Sequence, residues 1–160
     1  MKVIGIDPGL ASTGVGMVRG SPARIASYAF LTITTSKKIS LPQRLKQIYS
    51  EIYDVIAQQK PDLLVVEDTF TLMRYPKSGI MLGKVTGVIL LAASHFNLDV
   101  SEIPVREAKK VFTGNGKASK EQLEKSIRHL LGRNEPIKPN HASDALALGM
   151  IGLFRGKLKS

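Results

Sequence analysis

The sequence predicts an α/β domain built on a mixed five-stranded sheet flanked by helices. Three observations lead there. The chain opens with three short apolar segments separated by turn signals. It then carries one run, Leu63-Leu64-Val65-Val66, with no polar residue at all, as a central strand buried on both faces requires. Around that run, segments of helical period alternate with short strand-like ones, and strands followed by alternating helices and strands point to an α/β layer architecture.

The first apolar run, residues 2–6, stops at Asp7-Pro8-Gly9, a turn signal. Residues 13–18 and 25–34 read as two more strands, split by Gly20-Ser21-Pro22, so the opening forms an antiparallel meander. Leu45, Ile48, Tyr49, Ile52, Val55 and Ile56 then recur on one face of a 3.6-residue period, a helix that Pro61 ends. The strand 63–66 ends in Glu67-Asp68. Residues 68–79 are polar and aromatic and read as a loop. Residues 80–96 read as a helix that is apolar nearly all round, so both its sides must be covered. Residues 100–105 are the fifth strand, 106–112 a helical turn or two, and 113–117 a Gly-rich loop. Ser119 and Gln122 have capping-box spacing ahead of Leu123, Ile127, Leu130 and Leu131, the mark of another helix. Pro139-Asn140 opens the last helix, with Asn140 as its N-cap and apolar residues from 145 to 153.

With 160 residues the chain is expected to form one domain, 1–160, and at that size it can bury about 68–70% of its unfolded surface without disulfides or a structural metal. Hydrophobic residues are 43% and charged residues 22%, too apolar for disorder. There is no cysteine, which excludes a thiol nucleophile and Cys-ligated zinc. Asp7 arrives before a signal-peptide core can form, and the longest apolar stretch, 85–93, is far short of the roughly 20 residues a bilayer span needs. A soluble cytoplasmic protein with no membrane partner is expected. Lys and Arg number 23 against 13 Asp and Glu, a net charge of +10. That field suits an anionic partner, nucleic acid first, although a merely basic soluble protein has the same balance.

Acids are scarce, so their positions carry information. Asp7 closes the first strand and Glu67 closes the buried one, and strand ends are where an open α/β sheet presents ligands. An unpaired buried carboxylate costs several kcal/mol, so each needs a partner. His141 and Asp144, at i and i+3 of the last helix, share a face. If the four meet, a divalent metal explains an anionic pocket in a basic protein. Carboxylates suit Mg²⁺ and Mn²⁺, and imidazole suits Mn²⁺ better. Two ions about 4 Å apart would activate a water and stabilise a leaving oxygen in phosphodiester hydrolysis. Taken singly, each residue has a plainer role. Asp7 fits a turn, Glu67 an ordinary strand end with Asp68 competing, His141 a helix cap, and Asp144 the helix dipole.

The ordered set of motifs resembles the RuvC-type Holliday junction resolvases. Gly5-Ile6-Asp7-Pro8-Gly9 with Thr13-Gly14-Val15-Gly16 is similar to the family's first strand and turn. Leu41-Pro42-Gln43-Arg44-Leu45 is similar to the opening of its first helix. Pro61-Asp62-Leu63-Leu64-Val65-Val66-Glu67, followed by Phe70, resembles its second acidic strand. Leu82-Gly83-Lys84-Val85-Thr86-Gly87 resembles its central helix. Asn140-His141-Ala142-Ser143-Asp144-Ala145-Leu146-Ala147-Leu148 resembles its last motif.

The resemblance implies a ribonuclease-H-like fold and a homodimer. It implies a divalent-metal nuclease that nicks four-way junction DNA symmetrically, with two ions per site, Mg²⁺ and also Mn²⁺. Asp7, Glu67 and Asp144 would be metal-binding acids. His141 would take the remaining ligand position, where many relatives carry Asp and some His, so metal preference is open. Phe70 would stack on a base near the crossover, its alternative being a core residue. Lys109 and Lys120 match basic positions near the scissile phosphate. Arg74, Lys77, Lys84 and Lys117 are further phosphate-contact candidates, each also readable as a solvated charge. Gly83 and Gly87 would let the helix 80–96 approach a twofold-related copy. A branch-migration motor is a partner by family resemblance only.

Three alternatives stand beside this. The first is a ribonuclease-H-like RNA-processing nuclease with the same first strand. The second is a phosphotransferase, since Asp7-Pro8-Gly9 with Thr13-Gly14 is also similar to a phosphate loop of the sugar kinase and actin group; those proteins need two such domains, and Gly114-Asn115-Gly116-Lys117 is too short to be a P-loop. The third is a junction-binding protein with no catalysis.

Overall fold

The computed structural model describes residues 1–68 and 76–156. Five strands form one sheet in the order β3-β2-β1-β4-β5. They are β1 (Lys2–Asp7), β2 (Ser12–Ser21), β3 (Arg24–Thr34), β4 (Leu63–Glu67) and β5 (Val100–Ile103). β1, β2 and β3 pair antiparallel, whereas β4 runs parallel to both β1 and β5. The sheet is therefore mixed, as expected. The helices are α1 (Leu41–Gln59), α2 (Pro76–Ser94), α3 (Val105–Thr113), α4 (Lys120–Leu130) and α5 (Asn140–Arg155).

Strand alternation sorts the core into two layers. Ile4, Ile6, Leu64 and Val66 face one way, against Ile48, Ile52 and Ile56 of α1 and Val85, Ile89, Ala92 and Ala93 of α2. Val3, Leu63 and Val65 face the other way, against Leu123 and Ile127 of α4 and Leu146 and Met150 of α5. β4 is buried on both faces from Leu63 to Val66, which is why those residues are all aliphatic.

Several boundaries differ from expectation. α1 begins at a Ser40 capping box with Gln43, with Pro42 in its first turn, and ends at Lys60 in the left-handed conformation. The pattern Ser-Leu-Pro-Gln was available in the sequence. α2 starts at Pro76, inside the segment expected to be a loop; proline lacks only a hydrogen bond that a first helical turn does not make. α2 stops at Ser94 because Asn97 turns left-handed (φ 47°) and the Leu98 N–H returns to the Ala93 carbonyl. β5 ends at Ile103, and Pro104 caps α3 at its extended φ and ψ, so α3 is longer than the expected turn or two. The N-cap of α5 is Pro139, not Asn140, and no side chain caps it. Asn140 is already helical, and its carbonyl accepts the Ser143 hydroxyl.

By length and composition Lys77–Ser94 of α2 could cross a bilayer. Its inner face is instead built into the core with α1. Its outer face, Ile80, Gly83, Lys84, Gly87 and Leu91, is exposed, with Ile80 at 63% and Leu91 at 52%. The expectation that both sides are covered holds for one side of a single chain only.

Candidate active site

Asp7 and Glu67 are brought together by register and parity. β1 and β4 are parallel with Ile6 opposite Val66, so the next residues, Asp7 and Glu67, come level at the same end of adjacent strands. Ile6 and Val66 point toward α1 and α2, so alternation turns Asp7 and Glu67 toward α5. Asp68, the competitor, follows the strand's end.

α5 delivers the other two groups, and glycines set its distance. A Cβ on Gly5 would lie 2.1 Å from the Ala145 carbonyl oxygen, one on Gly14 2.0 Å from that of His141, and one on Gly16 2.5 Å from the Leu146 nitrogen. No side chain fits at these places, so the α5 backbone rests directly on β1 and β2. The glycines of Gly5-Ile6-Asp7-Pro8-Gly9 and Thr13-Gly14-Val15-Gly16 thus do more than make a turn. Thr13 acquires its role only in the fold. It is fully buried, and its hydroxyl donates to the Gly9 carbonyl (2.7 Å) and accepts from the Gly9 N–H (3.3 Å), closing the turn behind Asp7.

The result is a cluster from four elements, β1, β4, α4 and α5. His141 Nδ1 lies 2.6 Å from Asp7 Oδ2. Lys120 Nζ, at the start of α4, lies 3.5 Å from Asp144 Oδ2. Asp7 and Asp144 are both buried, and His141 and Glu67 are partly so. Burial raises the Glu67 carboxyl, and Asp7, by hydrogen bond and by charge, and then Asp144 push it further, to about 8, against a smaller pull from Lys120. Burial and then Asp7 raise Asp144, and Lys120 and His141 pull it back. The hydrogen bond to Asp7 raises His141, opposed by burial. Crowded acids and a short carboxylate–imidazole bond therefore hold protons that the same groups would release in water.

This donor set fits a divalent cation. The buried Asp144 Oδ1 has no hydrogen-bond partner. Burial first and the neighbouring acids next push Glu67 and Asp144 toward the neutral form, a cost that a cation would offset, and hard carboxylate oxygens with one imidazole suit Mg²⁺ or Mn²⁺. Among the described residues no three of these donors yet surround one point as a ligand set. His141 Nδ1 faces the Asp7 carboxylate as a hydrogen-bond donor, so that nitrogen can ligate an ion only after giving up its proton and the Asp7 bond.

The remaining sequence candidates separate. Lys120 is half exposed at the rim while paired with Asp144. Lys109 sits half-buried on α3, near enough to Glu121 to help lower its carboxyl behind hydrogen bonds from the Glu121 backbone and Ser119. Lys77 and Lys84 are exposed on α2, Lys84 within its apolar outer face, and Lys117 is exposed in the loop before α4. Phe70 and Arg74 lie outside the described residues.

Comparison with known proteins follows the same order of elements. The family model for crossover junction endodeoxyribonuclease RuvC matches residues 3–151. The RuvC of Carboxydothermus hydrogenoformans is 38% identical over 155 residues, 97% of each chain. That of Syntrophomonas wolfei is 36% identical over 160 residues, covering all of this chain and 92% of its own. Among solved structures, Thermus thermophilus RuvC in complex with a Holliday junction substrate superposes with a TM-score of 0.86 at 28% identity, over 97% of this chain and 94% of that one. The mixed five-stranded sheet with helices on both faces is the ribonuclease-H-like arrangement of these proteins.

Proposed function

The chain belongs to the crossover junction endodeoxyribonuclease RuvC family, metal-dependent nucleases that resolve Holliday junctions, and from that premise we propose which of its residues do the work. One observation carries the assignment. Asp7, Glu67 and the His141–Asp144 pair come from β1, β4 and α5 and converge at the end of two parallel strands.

Asp7, Glu67, His141 and Asp144 are the metal ligands, for two Mg²⁺ ions per site with Mn²⁺ as an effective substitute. When bound, such ions supply Lewis-acid stabilisation and an activated water for in-line phosphodiester hydrolysis. The protein's own contribution is to gather the charge. Glu67 must give up its proton as the site fills, which makes occupancy pH-dependent. Lys120, half exposed beside Asp144, offers its ammonium to the scissile phosphate, and Lys109 is a second candidate for that task. Phe70 serves as the base-stacking residue, and Arg74, Lys77 and Lys117 neutralise phosphates, so junction affinity falls steeply with salt.

The working unit is a homodimer. The outer face of α2 supports this: Ile80 and Leu91 are exposed in line, and a Cβ on Gly83 or Gly87 between them would meet nothing within 4 Å. A twofold copy packed there lets two like sites address a twofold substrate. Lys84 lies on that stripe, which favours the subunit interface over DNA for its side chain. A branch-migration motor is a proposed partner by kinship, and the cytoplasm is the proposed compartment.

The test is nicking of an end-labelled four-way junction in Mg²⁺ or Mn²⁺, beside linear duplex of the same sequence. Paired symmetric nicks on the junction alone are expected. Asp7→Asn should abolish them while leaving junction binding largely intact, and continued cleavage by that variant would refute the ligand assignment.

A further inference from the structure

α5 carries His141 and Asp144 in its opening turns, yet it begins at Pro139 with no side-chain cap. The chain leading into it has to be held from elsewhere, and α4 holds it. The Ile137 N–H donates to Glu124 Oε1 at 2.9 Å. Arg128 Nη1 donates to the Asn134 carbonyl at 2.9 Å. Arg128 Nε lies 3.1 Å from the same Glu124 oxygen, a charge contact rather than an aligned hydrogen bond. Ile137 itself is fully buried against α4 and α5.

Lys120, Glu124 and Arg128 stand at i, i+4 and i+8, one face of one rigid helix. All three point at the segment 134–144. Lys120 reaches Asp144, Glu124 reaches the amide two residues before Pro139, and Arg128 reaches the carbonyl three residues before that. An i,i+4 Glu–Arg pair is ordinarily solvated surface. Here the Glu124 side chain is 13% exposed and is shared between a backbone amide and a guanidinium.

We infer that Glu124, seconded by Arg128, is a positioning residue for the metal site: it fixes the start of α5 in the same frame as Lys120, so that His141 and Asp144 stand where Asp7 and Glu67 need them. This rests on the ligand assignment above. Misplacement of reacting groups by about 1 Å can cost 10²-fold in rate, so a slack lead-in to α5 is felt in catalysis.

The experiment measures Mn²⁺ affinity calorimetrically on DNA-free protein, and kcat, KM and junction Kd for nicking, all well below each variant's Tm. Glu124→Ala should weaken Mn²⁺ binding about tenfold and lower kcat by roughly 10²-fold, with junction Kd unchanged. Glu124→Gln retains a carbonyl for the Ile137 N–H and should recover most of both losses. Arg128→Met, which releases the Asn134 carbonyl and removes the charge contact on Glu124 but leaves the Glu124–Ile137 hydrogen bond, should lose a few-fold in each. Ile127→Val, buried on the same helix, should lose stability and neither function. Wild-type Mn²⁺ affinity and kcat in Glu124→Ala would overturn the inference. So would a Gln variant no better than Ala, or an Ile127→Val variant as impaired as Glu124→Ala. A wild type that binds Mn²⁺ but cuts no junction would refute the nuclease assignment alone, because the Mn²⁺ comparison still decides this one.

Discussion

Removing the metal should leave a protein that loses stability as pH rises, and Glu67 should be the main cause. Its carboxyl titrates at about 8 in the folded chain against 4.5 for an ordinary glutamate, chiefly because it is buried and faces Asp7. Between those values the folded state holds a proton that the unfolded state has released, so stability falls with rising pH. Asp144 and His141 are raised too and act in the same direction. At about 1.4 kcal/mol per pH unit, the interval from about pH 6 to pH 8 accounts for roughly 3 kcal/mol from Glu67 alone. In a chain of this size each kcal/mol moves Tm by about 2–4 °C, so metal-free wild type should melt about 6–12 °C lower near pH 9 than near pH 6. Glu67→Gln has no proton to lose there and should show a clearly shallower fall, with a Tm above wild type near pH 9. Saturating Mn²⁺ should flatten the wild-type curve by replacing the proton, and should do little for the variant. The assay is thermal unfolding across pH in chelator and in Mn²⁺. Parallel curves for wild type and Glu67→Gln in chelator would refute the account of Glu67 as a strained acid.

Three further outcomes follow from the geometry. Cleavage should decline on the acid side as His141 holds its proton; the Asp7 bond raises His141, so the decline should begin above the roughly 6.5 of a free imidazole, and His141→Asp should move it down. Identical pH–rate profiles for the two proteins would dispose of that role. Gly14→Ala drives a methyl into the His141 carbonyl and should cost roughly 1–3 kcal/mol by chemical denaturation and most of the cleavage; a variant cutting at wild-type rate would mean α5 can lift without consequence. Leu91→Glu adds a charge to the exposed face of α2 and should convert a dimer to monomer in sedimentation equilibrium, with the isolated chain's fold unchanged by circular dichroism; an intact dimer would put the interface elsewhere.

What was legible in the sequence divides by the range of its physics. Strand parity is local, so Asp7 and Glu67 could be read as strand-end acids from apolar runs alone, and a helical i, i+3 spacing put His141 beside Asp144. That the two pairs meet depends on a parallel β1–β4 register and on α5 lying against β1 and β2, neither of which any window of sequence contains. The glycines at 5, 14 and 16 were visible, but their reason, a helix backbone with no room above it, belongs to residues more than a hundred positions away. The hydrogen bonds of Glu124 and Arg128 were hidden for a different reason. An i,i+4 ion pair looks the same on paper whether it faces water or a backbone amide, and only burial tells the two apart. The exposed stripe of α2 reverses that logic. A helix apolar all round announces two partners, and among the described residues the chain packs only its inner face, which is the ground for the proposed second copy.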